Sequence, residues 1–293
     1  GASGWAVAAG SLICLMVIGE YAMRRPVRSA IPQSANIPEW DVRLPSQGLA
    51  NGLFAVDTLA VALLVMSATL GVTQVPAVIA VLVGFVLAIL ISVQAVRYLY
   101  QRNRFEANLP KILRKLSPVF AFHWQAPAGT AYQAAMWLPY LDRIGLPYFV
   151  LVRTAANFEE VAKLTTAPVV LRVGLEDLDA VVCKSLKAVF YANTAVRNSH
   201  MIRFPHLTHI QLNHGDSDKI ASVSPVFRQY DKNFVAGQAA IDRFANHGVT
   251  TRRDQFEIVG RPQLEQVAQA RGPIAAITDP TVLFSPTWSG FYA

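Results

Sequence analysis

Hydrophobic positions along this chain follow two regimes. Over the first hundred residues they form long, nearly unbroken runs. Beyond residue 117 they come in short bursts separated by polar helical stretches. Three of the long runs, about 4–23, 49–72 and 76–95, predict transmembrane helices. Each is close to the ~20 residues needed to cross a hydrocarbon core of roughly 30 Å. The third run is uncharged and shows no polar face, which a buried helix of a soluble protein would normally carry. From 117 onward, strand-length runs at 119–124, 148–153, 169–173, 187–192, 207–213, 233–237 and 255–259 are interleaved with helical stretches at 130–144, 157–164 and 194–203. That alternation predicts right-handed βαβ crossovers and a parallel sheet. The expected fold class is therefore α/β: N-terminal transmembrane helices followed by a Rossmann-like parallel-sheet domain.

Charge gives the runs an orientation. Charged residues make up 15% of the 293 residues, against about 25% in typical globular domains. Only nine of them precede Arg102. Arg24, Arg25 and Arg28 follow the first run instead of preceding it, which argues against a signal peptide. Arg97, Arg102, Arg104, Lys111, Arg114 and Lys115 follow the third run, opposed only by Glu106. By the positive-inside rule, the 24–48 loop and everything beyond 96 lie on the cytoplasmic side of the plasma membrane. Asp57 is read as an interfacial or helix N-terminal carboxylate. The domain plan is a membrane domain at 1–100, a basic juxtamembrane segment at 101–116 and a Rossmann-like domain at 117–275. A further domain begins at 276–293. Both ends, Gly1 and Ala293, look cut from something longer.

Several function classes lack their marks. No GxGxxG, Walker A, GxSxG or DxD pattern stands in the second regime. Cys14 and Cys183 are isolated, which excludes a disulfide framework. His206, His209 and His214 are spaced suggestively, but on a strand His209 points away from the other two, so no metal and no cofactor are expected. Lys and Arg are scattered, with Arg252–Arg253 the only tight pair in the second half. Lipids or phosphate-bearing polymers are therefore expected as partners, and nucleic acid is not.

Parallel sheets present ligand-binding residues just past the carboxyl ends of their strands. The most informative such place is HGDSDK, directly after the 207–213 strand. There His214 is suited to accept a proton from a hydroxyl, and Gly215 to turn sharply and admit a ligand. Asp216 or Ser217 can cap the next helix, and Lys219 offers a cation for phosphate. A plain turn with a solvated histidine is the competing reading. His123, Gln125, Thr130 and Arg153 follow or end other strands as possible cleft-lining groups, and Arg261 lies after the last. His200 and His247 read as helix-surface residues.

The strings GTAYQAAMWLPYL (129–141), HIQLNHGDSDK (209–219), SPVFRQYDKNFVAGQAAIDRF (224–244), VGRPQ (259–263) and VLFSPTW (282–288) occur in that order. They carry an H-G-x-x-x-K turn, a G-x-P segment and an L-x-x-P-T-W strand. Together they resemble the CDP-glycerol glycerophosphotransferase family, the teichoic-acid-type polyol-phosphate polymerases. The resemblance covers roughly residues 117–290. It implies two Rossmann-like domains of the GT-B type, with this region the acceptor-side half and a donor-binding half after it. It also implies transfer of a polyol phosphate, glycerol phosphate foremost, from a CDP-activated donor to a hydroxyl of a membrane-linked polyol-phosphate or glycolipid acceptor. CMP is released, and the product is a cell-wall polymer. His214 matches the family's proposed catalytic base, and Lys219 its motif lysine. Gly215, Asp216, Ser217 and Arg261 are the accompanying phosphate-side residues. Asp218 stands where the family often has an apolar residue, which marks a subgroup with a different polyol or acceptor. The family's second histidine falls beyond Ala293, so these 293 residues alone are expected to be inactive and barely to bind CDP-glycerol. A GT-B glycosyltransferase using a nucleotide sugar, and a non-catalytic membrane scaffold, stay open as alternatives.

Overall fold

A computed structural model of the chain describes residues 2–29, 33–42, 47–71, 73–216, 220–265, 267, 272–276 and 278–279. It is mixed α/β and divides into two compact units, Gly1–Ile112 with Pro168–Val173, and Leu113–Ala167 with Gly174–Ala293.

The first unit contains helices α1 (Ala2–Ser29), α2 (Gln47–Leu70) and α3 (Val75–Leu116). Among the described residues two stretches are long and apolar enough to cross a membrane: Asn51–Leu70, with mean hydropathy 2.1, and α3, with 2.8 in its apolar part. Only 22% of each apolar window is buried, and Leu59, Val65, Leu82, Val86 and Ile89 are exposed. The apolar part of α1, Val7–Gly19, is shorter. Arg24, Arg25 and Arg28 continue α1 instead of opening a loop.

All three helices converge on Gly84. A Cβ there would lie 2.7 Å from Met16 Cε and 2.9 Å from Asp57 Oδ1. Asp57 is 6% exposed and about three turns into α2. It is therefore a carboxylate packed between helices and not, as expected, an interfacial one.

Residues 101–116 form no separate segment but the last turns of α3, a helix of 42 residues and so about 63 Å. Pro110 lies inside it, where it removes one backbone donor without ending the helix. The basic half of α3 is fastened to a strand pair made of the expected 169–173 strand and a short one the periodicity does not show. Strand β1 (Ser34–Ala35) lies antiparallel to β4 (Val169–Leu171), with Ser34 opposite Val170. Arg172, just past β4 and 2% exposed, donates to Glu106 Oε2 of α3 at 2.9 Å. The Arg104 guanidinium covers the Trp40 ring at 4.9 Å.

The second unit runs β2 (Phe120–Trp124), α4 (Tyr132–Ala135), α5 (Leu138–Asp142), β3 (Tyr148–Val152), α6 (Phe158–Lys163), β5 (Ala188–Tyr191), α7 (Ser199–Ile202), β6 (Thr208–Gln211), β7 (Lys232–Val235), α8 (Gln238–Asn246) and β8 (Phe256–Ile258). Its strands pair in parallel, β2 with β3 and β5, then β5–β6, β6–β7 and β7–β8. Every residue of β2 and β3 is buried. This continuous apolar character is what a parallel strand covered on both faces requires. Phe120 stacks on Tyr148 at 4.7 Å, tying the register of β2 to β3.

In the second unit the strands follow the order β3-β2-β5-β6-β7-β8. Taking β2 as the first, this is the doubly wound sequence, and it reverses between β2 and β5. The expected helix at 130–144 is two short ones, α4 and α5, broken at Trp137 ahead of Pro139. The expected helix at 194–203 is a 3-10 turn, Val196–Asn198, followed by α7. Helix α8 was not anticipated.

The close approach at Gly84 yields a test. Gly84→Val drives branched carbons into the Met16 and Asp57 side chains and should cost about 1–3 kcal/mol, whereas Gly84→Ala needs only a small displacement of both. Thermal unfolding of the detergent-solubilised protein measures this. An unchanged midpoint in Gly84→Val would rule out the three-helix convergence.

Candidate functional site

The residues that follow the strands of the second unit enclose a cleft of about 530 Å³. Gln133 and Trp137 reach it from the β2 side, Asn193 from β5, His214 from β6 and Arg261 from β8. The cleft thus opens beside the point where strand order reverses, where a doubly wound sheet leaves its crevice.

His214 is exposed at the rim, and its Nδ1 lies 2.8 Å from the backbone oxygen of Ala192. A carbonyl can only accept, so Nδ1 carries the hydrogen and the lone pair of the neutral ring is on Nε2. A base held by its far nitrogen in this way is oriented before any substrate arrives. The sharp turn expected of Gly215 is made instead by Asn213, at φ 62°. Asparagine tolerates this left-handed conformation, and here its amide also donates to Phe234 O at 2.9 Å. The Trp137 indole N–H donates to Asn213 O, so the turn is held from both sides. Gly215 has open space where a Cβ would stand, which leaves its backbone accessible.

Among the described residues Asp216 caps no helix. It forms an ion pair with Arg243 of α8, with side chains 29% and 16% exposed respectively. Ser217 and Lys219 lie outside the described residues, as does the 282–288 string. Arg261 enters the cleft through a turn that Gly260 makes at φ 74°. Tyr140 of α5 donates to Pro262 O at 2.8 Å and Gln263 to Met136 O at 3.3 Å, so this loop is pinned to α4 and α5. Among the described residues nothing engages the Arg261 guanidinium.

None of the four other expected lining residues reaches this cleft. Thr130 turns back to Pro127 O at 2.6 Å. Gln125 accepts from the Arg197 N–H at 2.7 Å and so shapes the neighbouring loop. His123 and Arg153 are 1% and 0% exposed. Their side chains fold under the sheet edge, where Arg153 Nη1 lies 3.3 Å from His123 Nε2. Nη2 of Arg153 meets Gly174 O at 2.9 Å and His200 Nδ1 at 3.2 Å. His200 is therefore no plain surface residue. Burial, and then the Arg197 charge, draw Arg153 down to about 10. Burial, and then Arg153, hold His123 well below the usual imidazole range.

His209 accepts from the Tyr191 hydroxyl at Nδ1 (2.9 Å) and faces Phe204 O with Nε2 (3.1 Å). Burial lowers its proton affinity as well. It is a core group. The residues missed from sequence are Arg243, Asn213, Trp137 and His200. Of these, Arg243 was within reach, because QAAIDRF has the apolar spacing of a helix packed on one face.

No family model, curated protein or solved structure matches this chain.

The buried imidazoles set a pH dependence. His123 and His209 bind protons less readily folded than unfolded. Their contribution to stability is complete above the unfolded value near 6.5 and is lost as pH falls below it. The unfolding midpoint should therefore drop between about pH 7.5 and about pH 5.5, and less so in His123→Gln. A midpoint independent of pH across that window would contradict the buried, neutral assignment.

Proposed function

We propose that this protein is a membrane-anchored phosphotransferase of the CDP-glycerol glycerophosphotransferase type. In this reading it moves a polyol phosphate, glycerol phosphate foremost, from a CDP-activated donor to a hydroxyl of a membrane-linked polyol-phosphate or glycolipid acceptor. The observation that carries the reading is the His214 ring, fixed through Nδ1 with Nε2 as its basic nitrogen, at the mouth of a cleft that also holds Arg261. The family resemblance of the HGDSDK and VGRPQ strings agrees with it.

The chemistry follows from the residues. The acceptor oxygen attacks the phosphorus that bears the polyol. A new P–O bond forms, the bond to CMP breaks, and CMP leaves with the electron pair. The hydroxyl proton passes to His214 Nε2. Phosphoryl transfer needs positioning and positive charge more than covalent help. Arg261 supplies one cation. Arg243 is a second that can exchange Asp216 for phosphate, and Lys219 is a third by the motif.

The anchor is a multi-pass one in this proposal. Asn51–Leu70 and the apolar part of α3 cross the bilayer, α1 is a third span, and the catalytic unit lies on the cytoplasmic face. Supporting this are the exposed apolar surfaces of these helices and the cations beyond residue 96. A second Rossmann-like domain completes the GT-B arrangement and carries the donor nucleotide.

The test is CMP release in membranes carrying the complete protein, supplied with CDP-glycerol, CDP-ribitol or UDP-sugars. CDP-glycerol should be turned over. His214→Gln should lower kcat by about 10²- to 10⁴-fold, with KM for the donor little changed. Full activity in His214→Gln would end the proposal, and turnover of UDP-sugars alone would move the protein to the glycosyltransferases.

A further inference from the structure

Outside the residues that line the cleft, a second set of cations gathers. Arg153, Arg197, Arg203 and His200 come there from the ends of β3, the 3-10 turn after β5, and α7. Arginine only donates, so the 3.2 Å contact from Arg153 makes Nδ1 of His200 an acceptor and places the ring hydrogen on Nε2. The half-buried ring thus presents a donor, the reverse of His214.

The surroundings of that donor are electropositive. Arg197 Nη1 donates to Arg153 O at 2.5 Å and Arg203 Nη2 to Leu175 O at 3.0 Å, next to the Gly174 O that Arg153 itself binds. Three guanidinium groups thus gather beside His200, and after burial they depress its proton affinity. Nearby acids are engaged elsewhere or loosely. Asp177 accepts from the Gly174 N–H at 2.9 Å. Asp179 meets Arg203 at 2.9 Å with side chains 67% and 34% exposed, a surface pair that an anion can displace. The Asn193–Asn198 loop, which contributes to both places, is braced by hydrogen bonds. Asn198 Nδ2 donates to Asn193 O at 2.6 Å, and Arg197 N donates to Gln125 Oε1. Asn193 itself lines the cleft.

We infer that Arg197, Arg203 and the Nε2–H of His200 form a second anion subsite that holds a phosphodiester group of an extended acceptor whose end lies in the cleft. Three donors spread from the 3-10 turn to the end of α7 suit a tetrahedral anion, and guanidinium groups bind phosphate with geometric specificity. The polyanionic nature of the acceptor rests on the transferase reading, whereas the anion site itself does not.

The experiment uses the full 293-residue chain in neutral detergent, with the His200 ring followed by NMR. A soluble oligo(glycerol phosphate) is the first probe, and phosphatidylglycerol against phosphatidylcholine vesicles is the second. The oligomer should shift the His200 resonance, and Arg203→Gln should weaken its binding about tenfold, as expected for the loss of one charge-assisted hydrogen bond. Arg197→Gln is the companion variant should Arg203→Gln unfold. A shift with phosphatidylglycerol vesicles alone supports the same site with a lipid headgroup as the source. No shift with either probe, or unchanged affinity in both variants, overturns the subsite. His214→Gln separates the two claims, since the His200 response should persist there even if the transferase proposal fails.

Discussion

A parallel sheet covered on both faces can keep polar chemistry only at its ends, and that constraint organises the second unit. Strands β2 and β3 contribute nothing but buried side chains along their length. Their first polar opportunities are His123 near the end of β2 and Arg153 just past β3. After β5, β6 and β8 the chain likewise supplies Asn193, His214 and Arg261, which line the cleft. Because the strand order reverses between β2 and β5, the chain leaves those two strands in opposite directions. Along that edge one polar group lines the cleft, with Asn193, His214 and Arg261, and another, with Arg153, Arg197 and His200, does not.

The two groups illustrate how a neighbour decides what an imidazole can do. In His214 the Nδ1 atom faces a carbonyl and must donate, so the far nitrogen is a base. In His200 the same atom faces a guanidinium and must accept, so the far nitrogen is a donor. Neither role is a property of histidine itself. Each is imposed by a backbone oxygen or an arginine brought from a different strand, 22 and 47 residues away in sequence.

In the first unit the governing constraint is the removal of polar groups from apolar surroundings. Asp57 lies against Gly84, the one position of α3 where the helices can come this close without a side chain between them. Arg172, almost wholly buried, is matched by Glu106 from the stem of α3. A buried guanidinium of this kind is tolerated only with its counter-charge in place. The pair ties the end of β4 to the basic stretch of α3.

Periodicity alone was enough for the α/β class, the parallel pairing within the second unit, the positions of β2 to β8 to within one or two residues, and the two long apolar helices. These depend on local patterns of side-chain size and polarity, which the chain carries in linear form. It was also enough to single out His214 and Arg261, since residues just past parallel strands form the ligand edge whatever the details. What tertiary structure alone decided is partnership. The turn at Asn213 in place of Gly215, the Asp216–Arg243 pair, the burial of His123 and Arg153, the acceptor role of His200 and the packed position of Asp57 each depend on a group from a distant segment. Hydrogen bonds and ion pairs act over a few ångströms in space, and linear spacing holds no record of which segments the fold will bring that close.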